Sequence, residues 1–426
     1  MQLVAYGAQD IYLTGDPQIS FHEVVYKRHT NFAIEAIEQT FNGTADFGKK
    51  VTCTIARNGD LIKDVYLQVH LPALSVGLTT ATGAVAISWT NSIGHALIRN
   101  VELEVGGQSI VKHYGIFMDI WDELTNVTSK RNGFNQMIGK YETDTGLMGN
   151  AYAERIYYVP LQFWFCHNPG LALPLIALQY HEVKIIMEFR AFSECVVALK
   201  NDGDRIAKSN NTTTFAATVS FTNCQLYVDY IYLDTQERRD FAQRSHEYLI
   251  EQLQYGGGES ITLGSQAQKI RMTLNHPVKE IIWVLTRDEN GNTIGTAYND
   301  WFNYSAAEPG TPVASQAVDL MADAKIVLNG HDRFVVRPQT YFRLVQPYQH
   351  HTAIPMKQIY VYSFGYRPEE HQPSGTANFS RIDTAQLVFD ITSTTSLVAL
   401  GLSAISATST GQVHIFAINY NVFRIV

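Results

Sequence analysis

The sequence predicts an all-β protein: two similar domains in tandem, each of about eight mostly antiparallel strands in a sandwich or jelly roll. Three observations lead there. The second half of the chain repeats the first in outline. Apolar and polar residues alternate with a period of two along several short segments, the mark of half-buried strands. Helical patterns are few, and no strand–helix–strand rhythm runs through the chain, which argues against a doubly wound fold.

The repeat is a series of matches in the same order. NVELEVGGQSIVKHY (Asn100 to Tyr114) answers to DAKIVLNGHDRF (Asp323 to Phe334), each strand breaking at a Gly turn, Gly106-Gly107 or Asn329-Gly330. DLIKDVYLQVHLP (Asp60 to Pro72) answers to HPVKEIIWVL (His276 to Leu285), and YVPLQFWF (Tyr158 to Phe165) to YVYSFGY (Tyr360 to Tyr366). HEVKIIMEF (His181 to Phe189) answers to TAQLVFDI (Thr384 to Ile391), each after a Pro/Gly turn. The unit is about 200 residues, far longer than a solenoid repeat.

Along the chain, residues 1–30 read as an arm, because Gly7, Gly15 and Pro17 are too closely spaced for long elements. The first β-domain spans 31–233. Within it, Val65, Leu67, Val69 and Leu71 form one alternating stripe, Val101, Leu103 and Val105 a second, and Val183, Ile185, Met187 and Phe189 a third. Phe117, Ile120, Trp121 and Leu124 sit at helical spacing and predict a helix over Tyr114 to Leu124. A charged connector at 234–245 is predicted helical, with Asp234 as its cap and Glu237 at the capping-box position. The second domain spans 246–426 and opens with a strand followed by Gly256-Gly257-Gly258, read as flexible. Polar insertions at Ser129 to Asp144, Lys200 to Thr214 and Asp288 to Ala317 read as surface loops.

Composition narrows the function. Of the 426 residues, 46% are hydrophobic and 17% charged, which excludes a disordered chain. The 23 Tyr and 21 Phe suit pleated surfaces. A net charge of −8 with short basic clusters disfavours a direct grip on nucleic acid. The N-terminal stretch carries Asp10 and Asp16 and no unbroken apolar core, so no secretory signal is expected, and no run reaches the length of a membrane span. Cys53, Cys166, Cys195 and Cys224 lack CxxC spacing and read as buried thiols.

Tests for chemistry return little. GTADFGKK (Gly43 to Lys50) has P-loop glycines, but Lys50 stands where magnesium binding needs Ser or Thr, and a strand is expected next. His22-Glu23, His181-Glu182 and His246-Glu247 lack the second His of a zinc-protease helix. No close HxH pair of the cupin kind occurs, and His350-His351 reads as surface decoration. No GxSxG elbow is present. These motifs imply no cofactor and no metal. Sequons occur at Asn42, Asn126, Asn210, Asn211, Asn303 and Asn378, of which Asn126, Asn210 and Asn303 are carried forward as glycosylation candidates.

Several longer segments resemble one family. LVAYGAQDIYLTGDPQISF with VYKRHTNFAIE, RNGDLI (Arg57 to Ile62), NPGLALPLIALQYHEVK (Asn168 to Lys184), YLDTQERRDFAQ, HEYLIEQLQ, LNGHDRF, QPSGTANFSRID (Gln372 to Asp383) and NYNVFRI are similar to the major capsid proteins of nucleocytoplasmic large DNA viruses, especially the algal-virus branch. The matches run from Leu3 to Ile425 in family order. The resemblance implies two tandem eight-stranded jelly rolls and homotrimers presenting a pseudo-hexagonal tile to neighbouring capsomers. It implies an icosahedral virion shell assembled in the host cytoplasm, with minor capsid and penton proteins beside the tiles. An internal membrane would lie beneath, near the arm. Two other readings compete. One is a β-sandwich glycan-binding or attachment protein using Tyr298, Trp301 and Tyr304 on an insertion; loop packing is the plainer role for those rings. The other is a jelly-roll enzyme, against which the missing HxH pair speaks.

Overall fold

The structure, a computed structural model, describes residues 7–22, 24, 26–75, 86–141, 153–199, 208–209, 219–263, 267–291, 296–307, 318–393 and 409–425. Eight principal strands form the first half: β1 (Phe32–Gln39), β2 (Lys50–Thr54), β3 (Leu61–Leu71), β4 (Ile98–Val105), β5 (Gln108–Tyr114), β6 (Arg155–Pro160), β7 (Val183–Phe189) and β8 (Asn223–Leu233). Eight more form the second: β9 (His246–Thr262), β10 (Ala267–Met272), β11 (Pro277–Arg287), β12 (Met321–Leu328), β13 (His331–Asp332), β14 (Tyr360–Ser363), β15 (Ala385–Ile391) and β16 (Thr410–Ile425).

The first half makes two antiparallel sheets of order β1-β8-β3-β6 and β2-β7-β4-β5, and the second makes β9-β16-β11-β14 and β10-β15-β12-β13. Raising every strand number of the first half by eight reproduces the second. Each half is a jelly roll, and the matched segments read from the sequence fall on equivalent strands.

Alternation puts one face of each strand inside. Val65, Leu67 and Val69 of β3 pack with Val101, Leu103, Val183 and Ile185 in the first core. Ile281, Trp283 and Leu285 of β11 pack with Ile326, Leu387 and Phe389 in the second. The equivalent strands β3 and β11 differ on their other face. Along β3, from Val65 to Leu71, buried and half-buried residues alternate, whereas β11 is buried from Val278 to Leu285. Something covers the outside of β11 that does not cover β3.

Four helices matter: α1 (Gly115–Thr125), α2 (Thr128–Ile138), α3 (Thr235–Gln243) and α4 (Gln346–His350), the last preceded by a π-helical turn, Tyr341–Val345. Helix α3 is the predicted connector. Asp234 accepts from the backbone N–H groups of Gln236 and Glu237, and Arg238 pairs with Asp60 at 2.9 Å.

Two expectations are corrected. The Ser129 to Asp144 insertion is not a loop: α2 occupies most of its described part. The helix buries Asn135 and Ile138 and ends on Gly139 at φ 73°, a left-handed cap that suits glycine. Its polar sequence hid it, because little of its surface is apolar. Gly256-Gly257-Gly258 is not a flexible hinge. It lies inside the 17-residue strand β9, at a bulge between Tyr255 and Gly258 in the pairing with β16. Gly257 takes φ 104°, and a Cβ on Gly258 would meet Gln412 Oε1 at 2.3 Å. The triplet lets β9 pass close over β16 and bend.

A substitution at the α2 cap tests this packing. A Cβ on Gly139 would stand 2.6 Å from the Tyr157 ring and 2.8 Å from Ile93 Cγ2, at a positive φ. Gly139→Ala should destabilise the chain by about 2 kcal/mol or more. An unchanged denaturant midpoint would refute that reading of the cap.

Candidate functional site, the seam between the two barrels

The outer face of β9-β16-β11-β14 is covered by α1, which belongs to the other barrel. The helix starts directly after β5 on Gly115, where a Cβ would meet the carbonyl oxygens of His95 and Ile98 at 2.3 and 2.4 Å. Phe117, Ile120, Trp121 and Leu124 form its apolar stripe. The stripe lies in one buried cluster with Ile282 and Val284 of β11, Val361 of β14, and Phe416 and Ile418 of β16. Phe117 meets Phe416 with ring centroids 5.6 Å apart, and Tyr114 meets Tyr255 at 4.7 Å. Fully burying each large side chain contributes about 1.5–3 kcal/mol.

The acidic side of α1 is buried too, and every acid has a cation. Lys357 Nζ of the second barrel lies 2.8 Å from both oxygens of Asp119, and Tyr304 donates its hydroxyl to Asp119 Oδ2 at 3.0 Å. Lys140, just past α2, donates to Glu123 Oε1 at 2.6 Å and Asp122 Oδ2 at 3.2 Å, and Arg131 reaches Glu123 at 2.9 Å. Burial pushes the Glu123 carboxyl up, but Lys140, Lys357 and Arg131 outweigh it and hold it down to about 2. Ala353 N–H donates to the Leu124 carbonyl at 2.9 Å, so the backbones are tied as well.

A second clasp comes from the Asp288 to Ala317 insertion. Its described part does not stand out as a surface loop. Asn299 donates its amide to the carbonyls of Ser193 (2.8 Å) and Val196 (2.7 Å) in the first barrel. Trp301 Nε1 donates to the Glu194 carbonyl at 2.8 Å, and the Arg190 guanidinium lies 4.0 Å over the Trp301 ring. Tyr304 is fully buried and Tyr298 and Trp301 are half-buried. Of the three aromatics considered for glycan recognition, Trp301 and Tyr304 therefore pack the seam, while Tyr298 bonds through its backbone N–H to the Glu289 carbonyl at 3.0 Å.

The remaining candidates fall in different places. Asn303 is fully buried, its amide donating to Asp300 at 3.1 Å and its oxygen accepting from Ser305, so it cannot carry a glycan on the folded chain. Asn126 caps α1 half-buried and donates its Nδ2 to Asp122 at 2.8 Å. Asn210 lies outside the described residues. Gly43 to Lys50 is a turn, with Gly43 at φ 96° and Gly48 at φ 70°, and it runs into β2 with no helix to hold a phosphate. Among the described residues, no group of three or more His, Cys, Asp or Glu is placed to hold a metal ion. Cys53 and Cys195 are buried, Cys166 and Cys224 half-buried, and all four are free thiols.

His351 overturns its expectation. It is no surface decoration: its side chain is fully buried between Glu280 at 3.0 Å and Glu369 at 2.8 Å. Burial favours the neutral ring, but the two carboxylates outweigh it and push the imidazole up to about 9. The adjacent-His motif gave no hint of this, because its partners are far away in sequence. The buried pairs of Asp119 and Lys357 were equally unmarked. One signal was available: β11 reads EIIWVL without a polar break, where its counterpart β3 reads DVYLQV, and an unbroken apolar run marks a strand buried on both faces.

Two jelly rolls of identical strand order, joined side by side by a buried seam, define a double jelly-roll structural protein. Two family models cover the chain, one described as major capsid protein N-terminus over residues 20–234 and the other as large eukaryotic DNA virus major capsid protein over residues 237–426. The chain belongs to this family of large eukaryotic DNA virus major capsid proteins. It is 45% identical to the major capsid protein of Pyramimonas orientalis virus, over all of this chain and 96% of that one. It is 42% identical to that of Phaeocystis pouchetii virus, over all of this chain and 97% of that one. The solved structure of PBCV-1 VP54 superposes with a TM-score of 0.77 at 35% identity, covering 96% of this chain and 98% of that one.

Two predictions follow from the seam's charges. Lys357→Ala leaves Asp119 buried with no cation and should cost about 3–5 kcal/mol. Adding Asp119→Asn should restore most of it; a single variant with wild-type stability in denaturant would refute the buried pair.

The second concerns pH. His95 and His414 are pushed down to about 4 and His113 to about 3, mainly by burial, and all three rings border the seam. The unfolded chain takes up their protons first, so stability should fall as pH drops from 6.5 towards 4, by roughly 2–4 kcal/mol per ring. His351 works in the opposite sense. Its contribution is complete below pH 6.5 and is lost as pH rises through about 9. Denaturant midpoints at pH 4.5, 6.5 and 9.5 should peak at the middle value, and His351→Gln should flatten the alkaline limb. A midpoint that rises from pH 6.5 to 9.5 would contradict this.

Proposed function

We propose that this capsid protein assembles as a homotrimer whose six barrels make a pseudo-hexagonal tile, and that such tiles pave an icosahedral virion shell. The observation that carries the reading is the identity of the two sheet orders under a shift of eight strands. A chain with two like barrels can close a ring of six on a three-fold axis. The division of labour is an arm at 1–30, barrels at 31–233 and 246–426, and a connector at 234–245. The exposure of Tyr12, Phe21 and Tyr26, each above 80%, supports an arm that docks elsewhere, at the inner base beside minor capsid and penton proteins and the internal membrane. Assembly in the host cytoplasm and glycosylation at Asn126 or Asn210 belong to the same proposal. Light scattering on the purified chain should give a mass near three times 47.8 kDa at micromolar concentration. A monomer there would overturn the tile.

A further inference from the structure

The shared strand order gives each residue on the covered sheet face of the second barrel a counterpart in the first. Tyr66 of β3 pairs with Tyr227 of β8 as Ile282 of β11 pairs with Phe416 of β16. Tyr66 faces Pro160 of β6 as Ile282 faces Val361 of β14. Two residues further along β8 and β16, Asp229 answers to Ile418. In the second barrel these positions are buried under α1. In the first, Tyr66, Pro160 and Asp229 line an open groove of about 480 Å³, with Met137 and Tyr158 at its edge. Tyr158 and Ile156 are 37% and 41% exposed, and Tyr66 and Tyr227 stack with centroids 5.3 Å apart. Asp229 Oδ1 is shielded from solvent with no hydrogen-bond partner among the described residues.

The counterpart of α1 is also exposed. Helix α1 follows β5; the segment Tyr341–His350 comes after β13, strand β5's counterpart. It buries Phe342, Gln346 and Pro347 inward and turns Leu344, Val345 and Tyr348 outward at 38%, 40% and 77% exposure. Ile354 and Met356 beyond it are 44% and 47% exposed. From Arg333 to Tyr366 the sequence holds no Asp or Glu, and Arg333 and Arg337 lie at its start, Arg343 and Lys357 being taken up within the chain by Asp319 and Asp119. The vacant sheet face carries the opposite sign in Glu38, Asp64 and Asp229, with Lys63 beside Asp64.

We propose that Tyr341–His350 of one chain docks on the outer face of β1-β8-β3-β6 of a second copy, repeating between chains the contact that α1 makes within one. The inference rests on the proposed trimer and names its seam. The contact is head-to-tail, so each chain offers a helical segment to one neighbour and a sheet face to the other. Six like contacts then close the ring, three covalently fixed within chains and three formed on assembly.

The test uses two variants altered at opposite ends of the seam, both at exposed or half-exposed positions. One is Leu344→Asp with Tyr348→Asp. The other is Tyr158→Arg with Asp229→Arg. Each alone should be a folded monomer by light scattering and circular dichroism, under conditions where the wild type is trimeric. Mixed in equal amounts, they should form dimers of twice 47.8 kDa, because one intact helical segment still meets one intact sheet face. Radical footprinting of the wild-type trimer should label Tyr158 and Tyr348 several-fold less than Tyr180, which is 94% exposed. This readout is independent of the variants. A wild-type monomer overturns the tile and the seam together. Trimeric variants, or full labelling of both tyrosines in a trimer, overturn the seam and leave the tile standing. A mixture that stays monomeric overturns the head-to-tail order.

Discussion

The structure depends on the burial of α1 against the outside of the second barrel. An antiparallel sheet in a sandwich ordinarily keeps one face wet. Here the sheet β9-β16-β11-β14 presents Ile282, Val284, Phe416 and Ile418 outward, a surface that water would penalise by several kcal/mol if it were bare. Covering it with a helix from the neighbouring barrel makes the two barrels one unit. The insertion from Asp288 then has somewhere to lie, and Asn299 and Trp301 fasten it to the first barrel. Without the helix, neither the clasp nor the relative angle of the barrels would be set.

The charges buried at the edge of this contact act differently from its apolar centre. A buried ion pair is weak evidence for stability, since desolvation cancels much of the attraction. What Asp119, Lys357 and Tyr304 supply is register: three polar groups from separated parts of the chain meet in one place, and a slipped helix would leave a charge without its partner. Glu280 and His351 play the same part within the second barrel, joining β11 to the chain just past α4. A capsid-shell subunit needs this fixity, because an error in the angle between barrels would be repeated at every position in a shell.

Much of the fold was legible from the sequence, for a physical reason. Strands with one dry face alternate, as at Val65 to Leu71, and turns need glycine at positive φ, as at Gly106, Gly107 and Gly330. These are local requirements, so they leave local marks. Helix α1 showed because its stripe is apolar at helical spacing. Helix α2 did not, because only Asn135 and Ile138 are buried on it and its stop at Gly139 looked like one more loop glycine. The seam's partners were hidden because each pair joins residues far apart: Asp119 and Lys357 are separated by 238 positions. The family resemblance led to the architecture, but which side chains lock the barrels could be read only from the folded chain.

The two equivalent sheet faces also differ in chemistry, in a way that follows from when each is covered. The face closed by the chain's own helix is aliphatic and aromatic, and it is dry as soon as the chain folds. The face left open in a single chain replaces Ile282, Phe416 and Ile418 with Tyr66, Tyr227 and Asp229. Tyrosine offers large contact area with a hydroxyl that water can satisfy, and an acid keeps the open surface soluble. A face as apolar as that of the second barrel would invite aggregation before a partner arrived. One duplicated scaffold thus carries two grades of the same interface, one suited to permanent burial and one suited to waiting in water for a second copy.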